Sequence, residues 1–84
     1  FMVLSVEQHR EALSAAFGDK PIRGFENMLQ AMMTAYEAIG FKRGRNVMVK
    51  LLQYLTDTLK LVIKRDKLFY YDMTQAETML FDEE

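Results

Sequence analysis

Catalysis and metal binding most often use histidine or cysteine, and this chain has almost none of either. Its 84 residues include one histidine, His9, and no cysteine. Without thiolates, and with a single imidazole, the chain cannot build an ordinary zinc site by itself. Glu7 and Glu11 each lie two residues from His9, so on a helix they point away from it. We therefore predict no catalytic residue, no metal site and no cofactor, and we expect that the protein is not an enzyme.

Basic side chains are the second group that could do chemistry, because they can bind phosphate. Residues 42–67 hold eight Lys or Arg and two Asp, which gives this segment a net charge of +6, although the whole chain carries −1. Residues 1–41 carry −2 and residues 68–84 carry −5. Each Lys or Arg that contacts a phosphate releases counterions, so a segment of this kind can bind nucleic acid. The candidate nucleic-acid or anion contacts are Lys42, Arg43, Arg45 and Lys50.

The basic segment supports one functional hypothesis, a small nucleic-acid-binding transcriptional regulator that uses residues 42–67. The second and third helical segments, with the turn at residues 40–45 between them, would then form a helix-turn-helix. Two features argue against this hypothesis. A dedicated DNA-binding domain is usually basic overall. On a continuous helix, Lys60, Lys64 and Lys67 would also lie about four turns away from the basic turn.

The elements that would position these residues are three apolar segments separated by two glycine-containing breaks. Ser5 and Gln8 have the spacing of a capping box, and we predict a first helix over residues 6–17. Apolar residues that are alternately three and four positions apart predict a second helix over residues 22–39. We expect a single all-α domain, a small helical bundle that spans residues 1–84.

The third segment has the longest apolar pattern, and Asn46 is a plausible N-cap at its start. Ten positions follow one another in alternating steps of four and three residues, and nine of them are apolar: Met48, Leu52, Leu55, Leu59, Val62, Asp66, Phe69, Met73, Ala76 and Leu80. No Gly or Pro follows Gly44. This pattern predicts a long or kinked helix over residues 47–81.

Two alternatives to the long helix stay open. The helix could break between Lys64 and Tyr71 and give way to a short last helix, because Thr74 and Glu77 again have capping-box spacing. The stretch around Arg65-Asp66 could instead form a β-hairpin, although two-residue hairpin loops favour Asn-Gly or Asp-Gly.

A partner would help so short a chain to complete its core, because about 84 residues bury only ~60–65% of the surface that the unfolded chain exposes. Without disulfides or a metal, oligomerisation is the reinforcement that remains. Antiparallel pairing of two third segments would place the acidic residues 68–84 of one chain beside the basic residues 42–67 of the other. We therefore predict a homodimer whose apolar interface is formed by Leu55, Leu59, Val62, Asp66, Phe69, Met73 and Leu80, with Asp66 near the crossing of the two chains. The charges that set its register would be Lys60, Lys64, Arg65 and Lys67.

The functional hypothesis that we favour from the sequence is a non-enzymatic regulatory or adaptor module. It would act through helix-mediated protein–protein interaction and self-association, with a protein partner in addition to its own copy. No apolar run approaches the ~18 residues of a membrane span, so we expect no membrane partner. The lack of cysteine is compatible with a reducing compartment, and we expect a cytoplasmic location.

Overall fold

The computed structural model describes residues 4–82, and the side chains of residues 4–80. This part of the chain forms four helices and one three-stranded antiparallel sheet, whose strands lie between helices along the sequence. The elements are α1 (Val6–Phe17), β1 (Ile22–Arg23), α2 (Phe25–Ala38), α3 (Arg45–Asp57), β2 (Val62–Arg65), β3 (Leu68–Tyr71) and α4 (Met73–Asp82). The fold is mixed α/β, so the prediction of an all-α bundle is wrong.

Helix α1 confirms the prediction for residues 6–17. The backbone N–H of Gln8 donates to Ser5 Oγ at 3.2 Å, and the Ser5 N–H donates to Gln8 Oε1 at 2.9 Å. This reciprocal capping box satisfies two N–H groups that the first turn would otherwise leave without partners. The helix ends before Gly18, where the chain adopts a positive φ of +60°.

Helix α2 begins three residues later than predicted, because Ile22 and Arg23 form strand β1 instead of a first helical turn. Ile22 pairs with Phe69 and Arg23 pairs with Leu68. Gly24 then turns the chain from strand to helix at a φ of +91°, which a residue with a Cβ rarely adopts. Its N–H donates to the Lys67 carbonyl at 2.7 Å, so the start of α2 is tied to the β2–β3 turn.

The long helix predicted over residues 47–81 is wrong, since the segment folds as helix, hairpin and helix. Helix α3 ends at Asp57, and Lys60 reverses the chain with a positive φ of +59°. Strands β2 and β3 then form the hairpin that was the open alternative, with its two-residue loop at Asp66-Lys67, one residue later than expected, and Arg65 paired to Leu68. A short last helix, the other alternative, is also present.

The residues that begin α3 and α4 explain where the two helices of this segment start. Helix α3 begins at Arg45 after Gly44, so Asn46 lies in its first turn and does not cap it. Helix α4 begins at Met73, where the carboxylate of Asp72 accepts a hydrogen bond from the Gln75 N–H at 2.9 Å. An Asp at this position stabilises a helix start in the same way as Ser5 does for α1.

The core lies where the sheet packs against the helices, and it forms within one chain. Val62 and Phe69 on one sheet face are almost completely buried, as are Leu55 and Ala76 on α3 and α4. Tyr36, on α2, is fully buried beside them. Among the described residues, no helix combines the length and apolar character needed to cross a membrane.

Candidate nucleic-acid interface

The predicted interface residues do not form one surface. Leu55, Val62 and Phe69 are buried in the core of the single chain, whereas Leu59 and Leu80 are partly buried. Met73 is 58% exposed at the start of α4. Asp66 occupies the first position of the β2–β3 loop. The continuous apolar stripe from which we predicted a homodimer is therefore not present in the chain, and the homodimer itself stays a prediction.

The turn between α2 and α3 carries Lys42 and Arg43, both exposed as a phosphate contact requires. Phe41 anchors this turn, because its ring is buried and its N–H donates to the Tyr36 carbonyl at 2.8 Å. The Arg43 guanidinium lies 4.3 Å from the centre of the Phe41 ring and donates to the Lys42 carbonyl at 2.9 Å. Arg43 is therefore positioned by local contacts close to the start of α3.

Helix α3 exposes a polar stripe. Asn46, Lys50, Gln53 and Asp57, which are four, three and four residues apart, are all exposed. The opposite face is buried and consists of Met48, Leu51, Leu52 and Leu55. Lys50 was predicted from the sequence as a site residue, whereas Asn46 and Gln53 were not. Their spacing opposite the apolar face is the signal that identifies them.

The β2–β3 hairpin lies beside the C-terminal half of α3, so its cations lie alongside this helix and not on a continuation of it. A cleft of ≈ 220 Å³ separates the two elements. Gln53 and Asp57 line it from α3, and Lys64 lines it from β2. The ring of Phe25, which is 42% exposed, also lines this cleft. The chain reverses after α3, so Lys64 lies beside the C-terminal end of that helix. On a continuous helix, Lys64 would instead lie about two turns beyond Asp57.

The tip of the hairpin collects further positive charge. Arg65 precedes Asp66 at the end of β2 and Lys67 follows it in the loop, and both basic side chains are exposed. Arg23, on β1, lines a second cleft together with Asp66 and Lys67. In the described part of the chain, no carboxylate lies within 4.0 Å of the charged atoms of Arg23, Lys64, Arg65 or Lys67. Lys60, in the turn after α3, is exposed as well.

Arg45 differs from these free cations. Its two Nη atoms lie 2.6 and 2.5 Å from the two carboxylate oxygens of Glu26, on α2. This pairing lowers the pKa of Glu26 and raises the pKa of Arg45, because the hydrogen bonds between them favour the charged form of each group and the opposite charges attract. The starts of α2 and α3 are therefore linked by a bidentate ion pair.

His9 lies away from this surface, in the contact between α1 and α2. It is 2% exposed, and its Nδ1 lies 2.8 Å from the hydroxyl oxygen of Tyr36. Burial lowers the pKa of His9 to about 4, so the ring is neutral at pH 7. Among the residues described, no three His, Asp or Glu side chains come together as a metal would require.

Net negative charge lies on the other helices, including α2 with Glu26 and Glu37. Glu7 and Glu11 lie on α1, Glu77 lies on α4, and Asp72 caps α4. Helices α1 and α4 pack against each other. The separation of charge along the sequence therefore becomes a separation between structural elements, and α3 and the hairpin carry net positive charge.

Comparison of the chain with protein-family models, with curated proteins and with solved structures found no match.

Proposed function

We propose that this protein binds double-stranded DNA, with α3 in the major groove and the β2–β3 hairpin on the neighbouring phosphates. The sequence alone left such a regulator as the alternative function. The observation that carries the proposal is the exposed polar face of α3, with Lys42 and Arg43 before its first residue and the hairpin beside its C-terminal half. Within the described residues, the hairpin cations have no carboxylate partner.

The order of elements supports it. Helices α2 and α3 with the turn between them form a helix-turn-helix, a motif that places its second helix in the major groove. The added strand β1 and hairpin, in the sheet order β1-β3-β2, give the element order of winged helix-turn-helix domains. Since one fold serves many functions, the surface chemistry of α3 and the hairpin must support DNA binding as well.

The exposed face of α3 has side chains that can distinguish bases. Asn and Gln bind adenine through two hydrogen bonds in the major groove, and Lys binds guanine acceptors. Asn46, Lys50 and Gln53 supply these three side chains on one face. Asp57 continues the stripe and could accept a hydrogen bond from a cytosine amino group.

The two loops supply the phosphate contacts. Lys42 and Arg43 precede α3, and Lys64, Arg65 and Lys67 belong to the hairpin. Five such contacts would give a dependence of log K on log salt with a slope of about −4.5. The net charge of −1 does not oppose binding, because residues 42–67, which supply these contacts, carry a net charge of +6.

The experiment is a salt titration with a mixed-sequence duplex, because the phosphate term does not depend on sequence. We expect binding at about 50 mM salt that weakens steeply, with the slope given above. Charge reversal in the basic turn, Lys42→Glu with Arg43→Glu, should weaken binding strongly, whereas Lys20→Glu in the α1–β1 turn serves as the control. The absence of duplex binding at low salt, or equal effects of the two changes, would contradict the proposal.

A protein-binding adaptor that self-associates is the second candidate function. Tyr70 and Met73 are 37% and 58% exposed and border a cleft of ≈ 170 Å³ that Phe17 and Pro21 also line. Exposed apolar side chains beside a cleft favour a protein contact. Sedimentation equilibrium at tens of micromolar tests self-association: a monomer of 9.8 kDa would contradict it, and Met73→Lys should dissociate a dimer formed here. A cytoplasmic location remains our expectation for either function.

A further inference from the structure

Glu26 and Arg45 form a bidentate ion pair at the start of α3, within the proposed DNA surface. Glu26 is the second residue of α2, and Arg45 is the first residue of α3. Both nitrogens at the end of the guanidinium contact both oxygens of the carboxylate, at 2.6 and 2.5 Å. Both side chains are more than half exposed, so DNA could reach them.

The start of α3 is a place where a phosphate would be expected. Gly44 precedes the helix and offers no side chain to accept a hydrogen bond from its first N–H groups. Free N–H groups and the helix dipole favour an anion at such an end. An arginine at this end would normally add a bidentate contact to the same phosphate.

The carboxylate of Glu26 occupies the fork of Arg45 that a phosphate would use. Carboxylate and phosphate oxygens bind the guanidinium with the same two-point geometry, so one arginine fork cannot hold both. The neighbouring pair of Lys42 and Glu37 is different, because its charged atoms are 3.9 Å apart, beyond hydrogen-bonding distance. Lys42 therefore stays available for DNA, whereas the Nη1–Nη2 edge of Arg45 is occupied.

We infer that Glu26 acts as an internal competitor of DNA phosphate for Arg45 and thereby limits the affinity of the protein for DNA. This inference rests on the proposed DNA-binding function. It assigns a regulatory role to an acidic residue within the basic surface. Weaker non-specific binding would leave a larger share of the binding energy to the base contacts of α3.

The test compares Glu26→Gln with the wild-type protein in a salt titration against the mixed-sequence duplex. Glutamine keeps the size of the side chain and removes its charge, so Arg45 becomes free for phosphate. We expect binding about tenfold tighter at low salt, the lower end for a hydrogen bond to a charged group. The slope of log K against log salt should become steeper by about 0.9, the value of one added phosphate contact.

Two further variants show whether the gain passes through Arg45. Glu11→Gln, on α1, changes the net charge by the same amount and should alter affinity less than about twofold, because Glu11 is exposed on another helix and makes no ion pair with Arg45. The double variant Glu26→Gln with Arg45→Gln should return to the wild-type slope. Circular dichroism of all three variants confirms that they are folded.

Each result bears on a separate claim. If Glu26→Gln binds no tighter than Glu11→Gln, or if the double variant keeps the steeper slope, Glu26 does not compete for Arg45 although DNA binding stands. If the wild-type protein and Glu26→Gln both fail to bind duplex DNA at low salt, the proposed function fails and the inference fails with it.

Discussion

The α1–α2 contact and the α3–hairpin surface use polar side chains in opposite ways. Between α1 and α2, His9 is buried, neutral and hydrogen-bonded to Tyr36. On the hairpin, Lys64, Arg65 and Lys67 are exposed, and within the described residues they have no carboxylate partner. A buried polar pair stabilises a fold, whereas unpaired surface cations contribute little to stability and are free for a ligand. Changes in the first region should therefore alter stability, and changes in the second should alter DNA binding.

The largest effect is expected at His9, as a dependence of stability on pH. Its pKa is about 4 in the folded protein, against an ordinary value of 6.5, because burial opposes the charged ring. The unfolded chain therefore takes up a proton as the pH falls through 6.5, and the folded chain does so only near pH 4. Stability should fall by up to about 3 kcal/mol across this interval and should be fully present above it.

Urea denaturation at a series of pH values between 7.5 and 4 measures this loss. His9→Gln is the matched control, since glutamine can hydrogen-bond to Tyr36 but does not titrate in this range. The variant should lose much less stability than the wild-type protein as the pH falls, and its DNA affinity at pH 7 should be unchanged. Equal losses in the two proteins would show that carboxylates, and not His9, cause the pH dependence.

The next largest effect is expected at the hairpin. Replacing Lys64, Arg65 and Lys67 together by Gln removes three proposed phosphate contacts. The slope of log K against log salt should decrease by about 2.7, and affinity near 150 mM salt should fall about 100-fold. The free energy of unfolding should change by no more than about 0.5 kcal/mol, as for other surface substitutions. A large loss of stability with unchanged DNA affinity would reverse the assignment of the two regions.

A smaller effect is expected from substitutions on the polar face of α3, which should reduce the preference of the protein for particular DNA sequences. Duplexes selected from a random pool by the wild-type protein provide the ligand. Asn46→Ala and Gln53→Ala should each weaken binding to the selected duplex about tenfold and leave binding to mixed DNA and the salt slope almost unchanged. If both variants reduce binding to the two kinds of duplex equally, these side chains do not read bases.

The smallest effect is expected at Asp66, in the loop of the hairpin. Its φ of +57° is costly for a residue with a Cβ, and glycine adopts it freely. Asp66→Gly should stabilise the protein by about 0.5–1 kcal/mol, whereas Asp66→Ala should destabilise it slightly, because Asp tolerates this conformation better than Ala. Thermal denaturation of both variants measures the difference. A loss of stability on changing Asp66 to Gly would indicate that its carboxylate makes a stabilising contact.

The sequence predicts α1 well because its start is marked by a local signal. The capping box of Ser5 and Gln8 and the glycine after residue 17 act within a few residues of the ends that they define. The body of α2 is also predicted correctly. Its first residues are not, because Ile22 and Arg23 are held in a strand by Phe69 and Leu68, far along the chain.

The third segment could not be assigned from its apolar pattern. Strands β2 and β3 have four residues each, so each strand places only two side chains on either face of the sheet. Two apolar positions are too few to distinguish the two-residue repeat of a strand from the roughly 3.6-residue repeat of a helix. The helix ends at Asp57, and the chain then turns at the positive φ values of Lys60 and Asp66, with no Gly or Pro to mark either turn. The β-branched and aromatic residues of LVIK and KLFYY were the better signal, because such residues are typical of strands.

The candidate site was predicted in part. The composition of residues 42–67 identified the basic side chains, since charge can be read without knowing the fold. Their arrangement could not be read, because the hairpin comes beside α3 through the unexpected reversal at Lys60. The apolar pattern already placed Gln53 on the exposed face of the third segment, whereas Asn46 was interpreted as an N-cap and joins this face only because α3 begins at Arg45.

Chemical-shift mapping by NMR during titration with a duplex tests the central claim most directly, because it locates the contact on the molecule. We expect the largest changes in the backbone signals of the α2–α3 turn, of the exposed face of α3 and of residues 64–67. The signals of α1 should remain almost unchanged. Changes concentrated on α1 and α4, or no change at low salt, would contradict the assignment of α3 and the hairpin as a DNA-binding surface.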